Sequence, residues 1–126
     1  MFHDHLFPLL SAPVQQRHND VRKFQEEEPV AKLLVATIKT GSVGLTLTAA
    51  TRVFLMEPCI EPQHEVQAAG RIHRLGQSRD VFVKRYAFRG TIDESILEFH
   101  EKIKQGDLAV SDGKIPREAM KLLWKR

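Results

Sequence analysis

Apolar and polar positions change period several times along the chain, and each change marks an element. Residues 19–28, NDVRKFQEEE, open on an Asn/Asp cap and place Val21 and Phe24 three apart. That spacing predicts a short amphipathic helix, ended by Pro29. Residues 32–38, KLLVATI, form a nearly unbroken apolar and β-branched run, which predicts a strand buried on both faces of a parallel sheet. Residues 52–57, RVFLME, predict a second such strand, stopped by Pro58. Pro62 stands at a helix start, and a helical pattern runs from it to Leu75, with Gly76 as terminator. Residues 81–88, VFVKRYAF, alternate apolar and basic positions and predict a third strand. Thr91-Ile-Asp-Glu94 is a capping box that opens a helix to about Gln105, with Ile92, Ile96, Phe99 and Ile103 on its apolar face. Ile115-Pro116 starts a last amphipathic helix carrying Met120, Leu123 and Trp124. Strands alternating with helices indicate an α/β fold with at least three strands.

Composition narrows the class. The 126 residues are 42% hydrophobic and 28% charged, as in a globular chain. That length supports one core. A single cysteine, Cys59, excludes a disulfide framework and a Cys-rich zinc site, and no metal centre is expected. No apolar run approaches the ~20 residues of a membrane span, so no membrane partner is expected. The N-terminal MFHDHLFPLL lacks a basic n-region and a small-residue cleavage site, so no signal peptide is read and an intracellular domain is expected. The net charge of +3 is unevenly placed. Arg71, Arg74, Arg79, Lys84, Arg85 and Arg89 cluster against only Asp80, an excess able to hold phosphates.

Two segments carry candidate chemistry. Residues 39–50, KTGSVGLTLTAA, follow directly on a predicted strand. Gly41 and Gly44 permit close backbone approach there, and Thr40, Ser42, Thr46 and Thr48 offer hydroxyl donors to phosphate or sugar oxygens. Glycines after a strand also simply make turns, and the phosphate-cradling pattern GxxxxGK[ST] occurs nowhere in the chain. Residues 67–77, QAAGRIHRLGQ, are more specific. At ~100° per residue, a helix here gathers His64, Gln67, Arg71 and Arg74 in one polar stripe, with apolar residues around most of the remaining circumference. No carboxylate shares the stripe, so the arginines pair either with acids from another element or with a polyanionic ligand such as a triphosphate. His73 falls on the apolar side, where a core histidine is expected.

In these two segments, LLVATIKTGSVGLTLTAA and QAAGRIHRLGQ, the sequence resembles the C-terminal RecA-like lobe of Swi/Snf-type ATPases of helicase superfamily two. Within that family it is most similar to the SHPRH-type branch of DNA-damage tolerance. The segments match motifs V and VI, and RVFLMEP between them and TIDESIL after them match as well. The resemblance runs from about Arg17 to Ile103. It implies a RecA-like parallel sheet flanked by helices, incomplete because the lobe's first strand finds no match in residues 1–16. The implied organisation is an unmatched segment 1–16, the lobe at 17–105, and a linker with a C-terminal helix at 106–126.

The resemblance also implies roles. Arg71 and Arg74 correspond to two arginine fingers that reach the γ-phosphate of ATP, and Gln67 lines the same cleft. Gly44 and Thr46 border the nucleotide, while Lys39, Thr40, Gly41 and Ser42 lie where motif V meets the DNA backbone. Ser42 replaces a usual glycine, Thr46 a usual asparagine and Gly70 an aspartate, the last a feature of the SHPRH-type branch. The implied cofactor is ATP with Mg²⁺, bound mainly by an N-terminal lobe of the same or another chain. The implied partners are duplex DNA and chromatin, in the nucleus. The chain is then part of an ATP hydrolase that does not turn over ATP by itself. A non-catalytic DNA- or protein-binding module and a truncated relic are the rival readings.

Overall fold

The computed structural model describes residues 6–8, 12–26, 32–41, 46–108 and 117–124. In chain order its elements are β1 (Leu6–Pro8), α1 (Val14–Glu26), β2 (Leu33–Val35), α2 (Ile38–Gly41), β3 (Arg52–Leu55), α3 (Pro62–Gly70), β4 (Phe82–Arg85), α4 (Ile92–Lys104) and α5 (Arg117–Leu123). No helix among these residues is long and apolar enough to cross a membrane.

Both strand pairs are parallel and both are bridged by a helix. β1 pairs with β2 in the register Leu6↔Leu33, Phe7↔Leu34, Pro8↔Val35, and α1 makes the crossover. Phe82 N donates to Thr51 O (2.9 Å) and Tyr86 N to Leu55 O (2.8 Å), so the partners advance together and β3 and β4 run parallel around α3. Residues 1–16 offer no match to the lobe's first strand in their sequence. β1 lies there nonetheless, because three residues ending in Pro8 are too few to show a period.

The chain divides into two compact units, Met1–Val53 with Gln67–Phe82 and Phe54–Val66 with Val83–Arg126. The first is built on Phe7, Phe24, Leu47 and Ile72, with Val21, Leu34, Ala49, Ala50, Val53 and Val81 packed against them. Phe7 and Phe24 meet edge to face at 5.9 Å, which joins β1 to α1. The core of the second unit is Ile96, Phe99 and Leu123, supported by Ile103 and Leu108.

Several predicted boundaries move. α1 begins five residues before the expected cap at Asn19, directly after Pro13. The expected strand 32–38 is shorter, and Ile38 belongs instead to α2. Leu33 is exposed, so this strand is not buried on both faces. The third strand is exposed at every position. α4 matches its prediction closely. Thr91 is its N-cap: its hydroxyl accepts from Asp93 N (3.2 Å) and its carbonyl from Glu94 N (3.3 Å). At the other end Gly106 (φ 82°) takes the left-handed position, with Gly106 N bonded to Ile103 O and Asp107 N to Lys102 O. This is a Schellman ending, and a Cβ at residue 106 would strain it. In α5, Leu123 is buried while Met120 is exposed, and Trp124, just past the helix end, is exposed too.

Candidate functional site

The largest departure from the helical pattern falls on the arginines. α3 stops at Gly70, and residues 71–77 form successive turns. Gly70 has low helix propensity, and a tertiary bond completes the break. In a continuing helix Arg71 O would accept from Leu75 N, but here it accepts from Leu47 N at 2.9 Å. Arg74 N bonds to Ile72 O and Gln77 N to Arg74 O, the latter closing a turn with Gly76 at φ 98°. That value calls for glycine, so Gly76 serves this turn and not a helix end. The helical stripe expected for His64, Gln67, Arg71 and Arg74 therefore does not form beyond residue 70. His73 and Leu75 are exposed, which corrects the expectation of a core histidine on an apolar face. α3 itself contains no buried residue.

What replaces the stripe is a joint between residues 46–50 and 71–79 within the first unit. Ile72 is buried at 5% exposure beside Leu47 and anchors the turn. Arg71 is half-buried and Arg74 is exposed. The Arg74 guanidinium donates from Nε to Gly70 O (3.2 Å) and from Nη1 to the Thr46 hydroxyl (3.3 Å). Both acceptors are neutral, and among the described residues Arg74 meets no carboxylate. Among the described residues its charge thus has no acidic partner, which fits an anionic oxygen.

The other sequence candidates are placed as follows. Gln67 is exposed on α3, three residues before the end of that helix. Lys39 is exposed on α2, and the backbones of Thr40 and Gly41 belong to the same helix. Ser42 and Gly44 lie outside the described residues. Gln25 was not among the candidates, Thr48 was singled out only as a hydroxyl donor and Arg79 only as a member of the basic cluster, yet all three belong to the joint. Gln77 belongs to it too, and its only signal was its place at the end of QAAGRIHRLGQ.

A second polar cluster lies in the other unit. Arg85 Nη1 donates to Glu65 Oε2 at 2.8 Å and lies 3.1 Å from His100 Nδ1. A guanidinium can only donate, so Nδ1 accepts and the imidazole proton sits on Nε2, which donates to Cys59 O at 2.7 Å. Glu65 Oε1 accepts from Cys59 N at 2.8 Å. His100 is 8% exposed, and the cluster ties the first turn of α3 to β4 and α4. Burial, reinforced by the carboxylates of Glu65, Glu57 and Glu61, pushes the Cys59 thiol above its ordinary value. A thiol that holds its proton longer when folded contributes stability at neutral pH that is lost as pH rises through the folded value. At pH 8, iodoacetamide should accordingly modify Cys59 severalfold more slowly in the folded chain than in urea. Equal rates would show that the site does not suppress the thiolate. Among the described residues no three potential ligands gather as a metal site.

The model of the helicase conserved C-terminal domain matches residues 10–76. The DNA repair protein rad8 of Schizosaccharomyces pombe is 40% identical over 102 residues, which is 79% of this chain and 9% of that protein. The human E3 ubiquitin-protein ligase SHPRH is 42% identical over 80 residues, 59% of this chain and 5% of that protein. The crystal structure of the C-terminal part of the Fun30 ATPase domain superposes with a TM-score of 0.70 at 25% identity, covering 94% of this chain and 38% of that one. The chain thus spans less than a tenth of the length of these curated relatives. Its α/β architecture is that of the RecA-like C-terminal lobe.

Proposed function

Because the chain belongs to the helicase conserved C-terminal domain family, we propose that it acts as the C-terminal lobe of a Swi/Snf-type, ATP-dependent DNA translocase of DNA repair. Arg71 and Arg74 are its arginine fingers, directed at phosphates held mainly by an N-terminal lobe of the same or another chain. The observation that carries this reading is the joint itself. The bond from Leu47 N to Arg71 O and the contact of Arg74 with Thr46 bring the segments of motifs V and VI onto one surface.

The residues of the joint fit a nucleotide. Arg74 presents a guanidinium with no carboxylate partner among the described residues, Arg71 stands three residues before it, and Gln67 and Gly44 are assigned to the same cleft. ATP with Mg²⁺, when bound, supplies the phosphoanhydride whose cleavage drives movement. The arginines contribute charge, placed where negative charge grows as the terminal phosphoryl group leaves. Lys39, Thr40, Gly41 and Ser42 are assigned to the backbone of duplex DNA, in chromatin within the nucleus. Alone, the chain is not expected to hydrolyse ATP, since it contains no loop of the type that cradles the triphosphate.

The test is complementation. An isolated N-terminal ATPase lobe of the Swi/Snf type is mixed with this chain, and ATP turnover is followed with and without duplex DNA. The expected result is turnover that requires both proteins and rises with DNA. Salt-sensitive duplex binding with no gain in turnover would overturn the catalytic reading and favour a binding module.

A further inference from the structure

Backbone bonds from Arg71 N to Ala68 O (3.2 Å) and from Ile72 N and His73 N to Ala69 O (both 3.1 Å) tie the start of the arginine turn to α3, but Arg74 N turns to Ile72 O, and the side chains that brace the far end of the turn come from beyond it. Gln77 Nε2 donates to Thr48 O at 2.9 Å and to Ala50 O at 2.8 Å, so both carboxamide protons are engaged. Its Oε1 accepts from Arg79 N at 3.2 Å. Arg79 Nη2 adds bonds to Thr48 O (3.2 Å) and Ala49 O (2.7 Å). Gln25 of α1 accepts from Ala49 N (2.8 Å) and donates to the Thr48 hydroxyl (3.1 Å). Residues 48–50 are therefore held both by α1 and by residues 77–79. Gln77 also connects to the arginines through its own backbone, whose N–H donates to Arg74 O at 2.9 Å.

The geometry points to Gln77 as a positioning residue that sets the register of the arginine turn against residues 46–50, and so holds Arg74 on Thr46. It touches neither nucleotide nor DNA in this role. The inference deepens the proposed function and rests on reading Arg71 and Arg74 as arginine fingers. Its physical basis is that a displacement of about 1 Å in a group that stabilises a transition state costs on the order of 10²-fold in rate. From Arg74 on, the backbone bonds Arg74 N to Ile72 O and Gln77 N to Arg74 O stay within the turn itself, so this part can shift that far once its side-chain ties are removed.

Two variants separate positioning from folding. Gln77→Leu keeps the volume and removes both donors, whereas Gln77→Lys restores a donor to the carbonyls of Thr48 and Ala50. The first measurement is amide hydrogen exchange on this chain alone, read at Leu47, whose N–H is bonded to Arg71 O. In Gln77→Leu the Leu47 amide is expected to exchange severalfold faster, with α4 unchanged, and Gln77→Lys is expected to recover most of the protection. Unchanged exchange at Leu47 overturns the inference, and so does loss of protection throughout α4, which would mark a general folding role. The second measurement is turnover in the complemented mixture. Here Gln77→Leu should lower kcat by about 10²-fold with KM for ATP unchanged. A rise in KM with kcat preserved overturns the inference. Absence of turnover with the unmodified chain sinks the arginine-finger reading alone, and exchange at Leu47 still decides whether Gln77 sets the register.

Discussion

Arg74→Ala is expected to lower ATP turnover of the complemented enzyme by about 10³-fold, the lower end of the effect of removing an arginine finger. The side chain is exposed, and its two hydrogen bonds go to Gly70 O and the Thr46 hydroxyl. Losing them should alter stability by only about 0.5 kcal/mol, as at other surface positions. A large rate loss with an unchanged thermal melt is then a statement about charge at the nucleotide. Arg71→Ala should reduce turnover comparably, but Arg71 is half-buried, so its melt will move as well. Arg71→Lys is the cleaner partner experiment. It keeps a positive charge but loses the planar fork, and recovery should be small if two phosphate oxygens are gripped at once. Turnover and binding of a fluorescent ATP analogue are the paired measurements. Nucleotide binding lost while turnover persists would refute the assignment of both arginines.

Phe99→Ala is expected to destabilise its unit by about 3–5 kcal/mol. Phe99 is 1% exposed, the most deeply buried large side chain described, and it packs with Ile96 and Leu123. Few apolar residues share this core, so little can collapse into the cavity. Removing the ring also loosens the contact between α4 and α5. Urea unfolding followed by circular dichroism measures the loss. A change below about 1 kcal/mol would mean that the cluster is not a cooperative core.

The elements differ in how far the chain alone specifies them. α4 was legible almost residue for residue, because its determinants are local: Thr91 at the N-cap, apolar residues every three or four positions, and Gly106 at the left-handed stop. β1 was not legible, since its identity comes from pairing with β2 across the length of α1. The end of α3 was misplaced by five residues for a related reason. Residues 71–75 continue the helical pattern, but Arg71 O, which a helix would offer to Leu75 N, is taken by Leu47 N far away in sequence.

The sequence by itself determined the α/β alternation, the two motif segments and the identity of both arginines. These depend on residue type and short spacing, which a chain carries whether folded or not. Only the tertiary structure decided that the arginines stand on a turn, that Thr46 receives Arg74, and that Gln77, Arg79 and Gln25 hold residues 48–50 in place. Hydrogen bonds between residues more than twenty positions apart leave no periodic trace. They form only when burial of Phe24, Leu47 and Ile72 in one core brings their segments together.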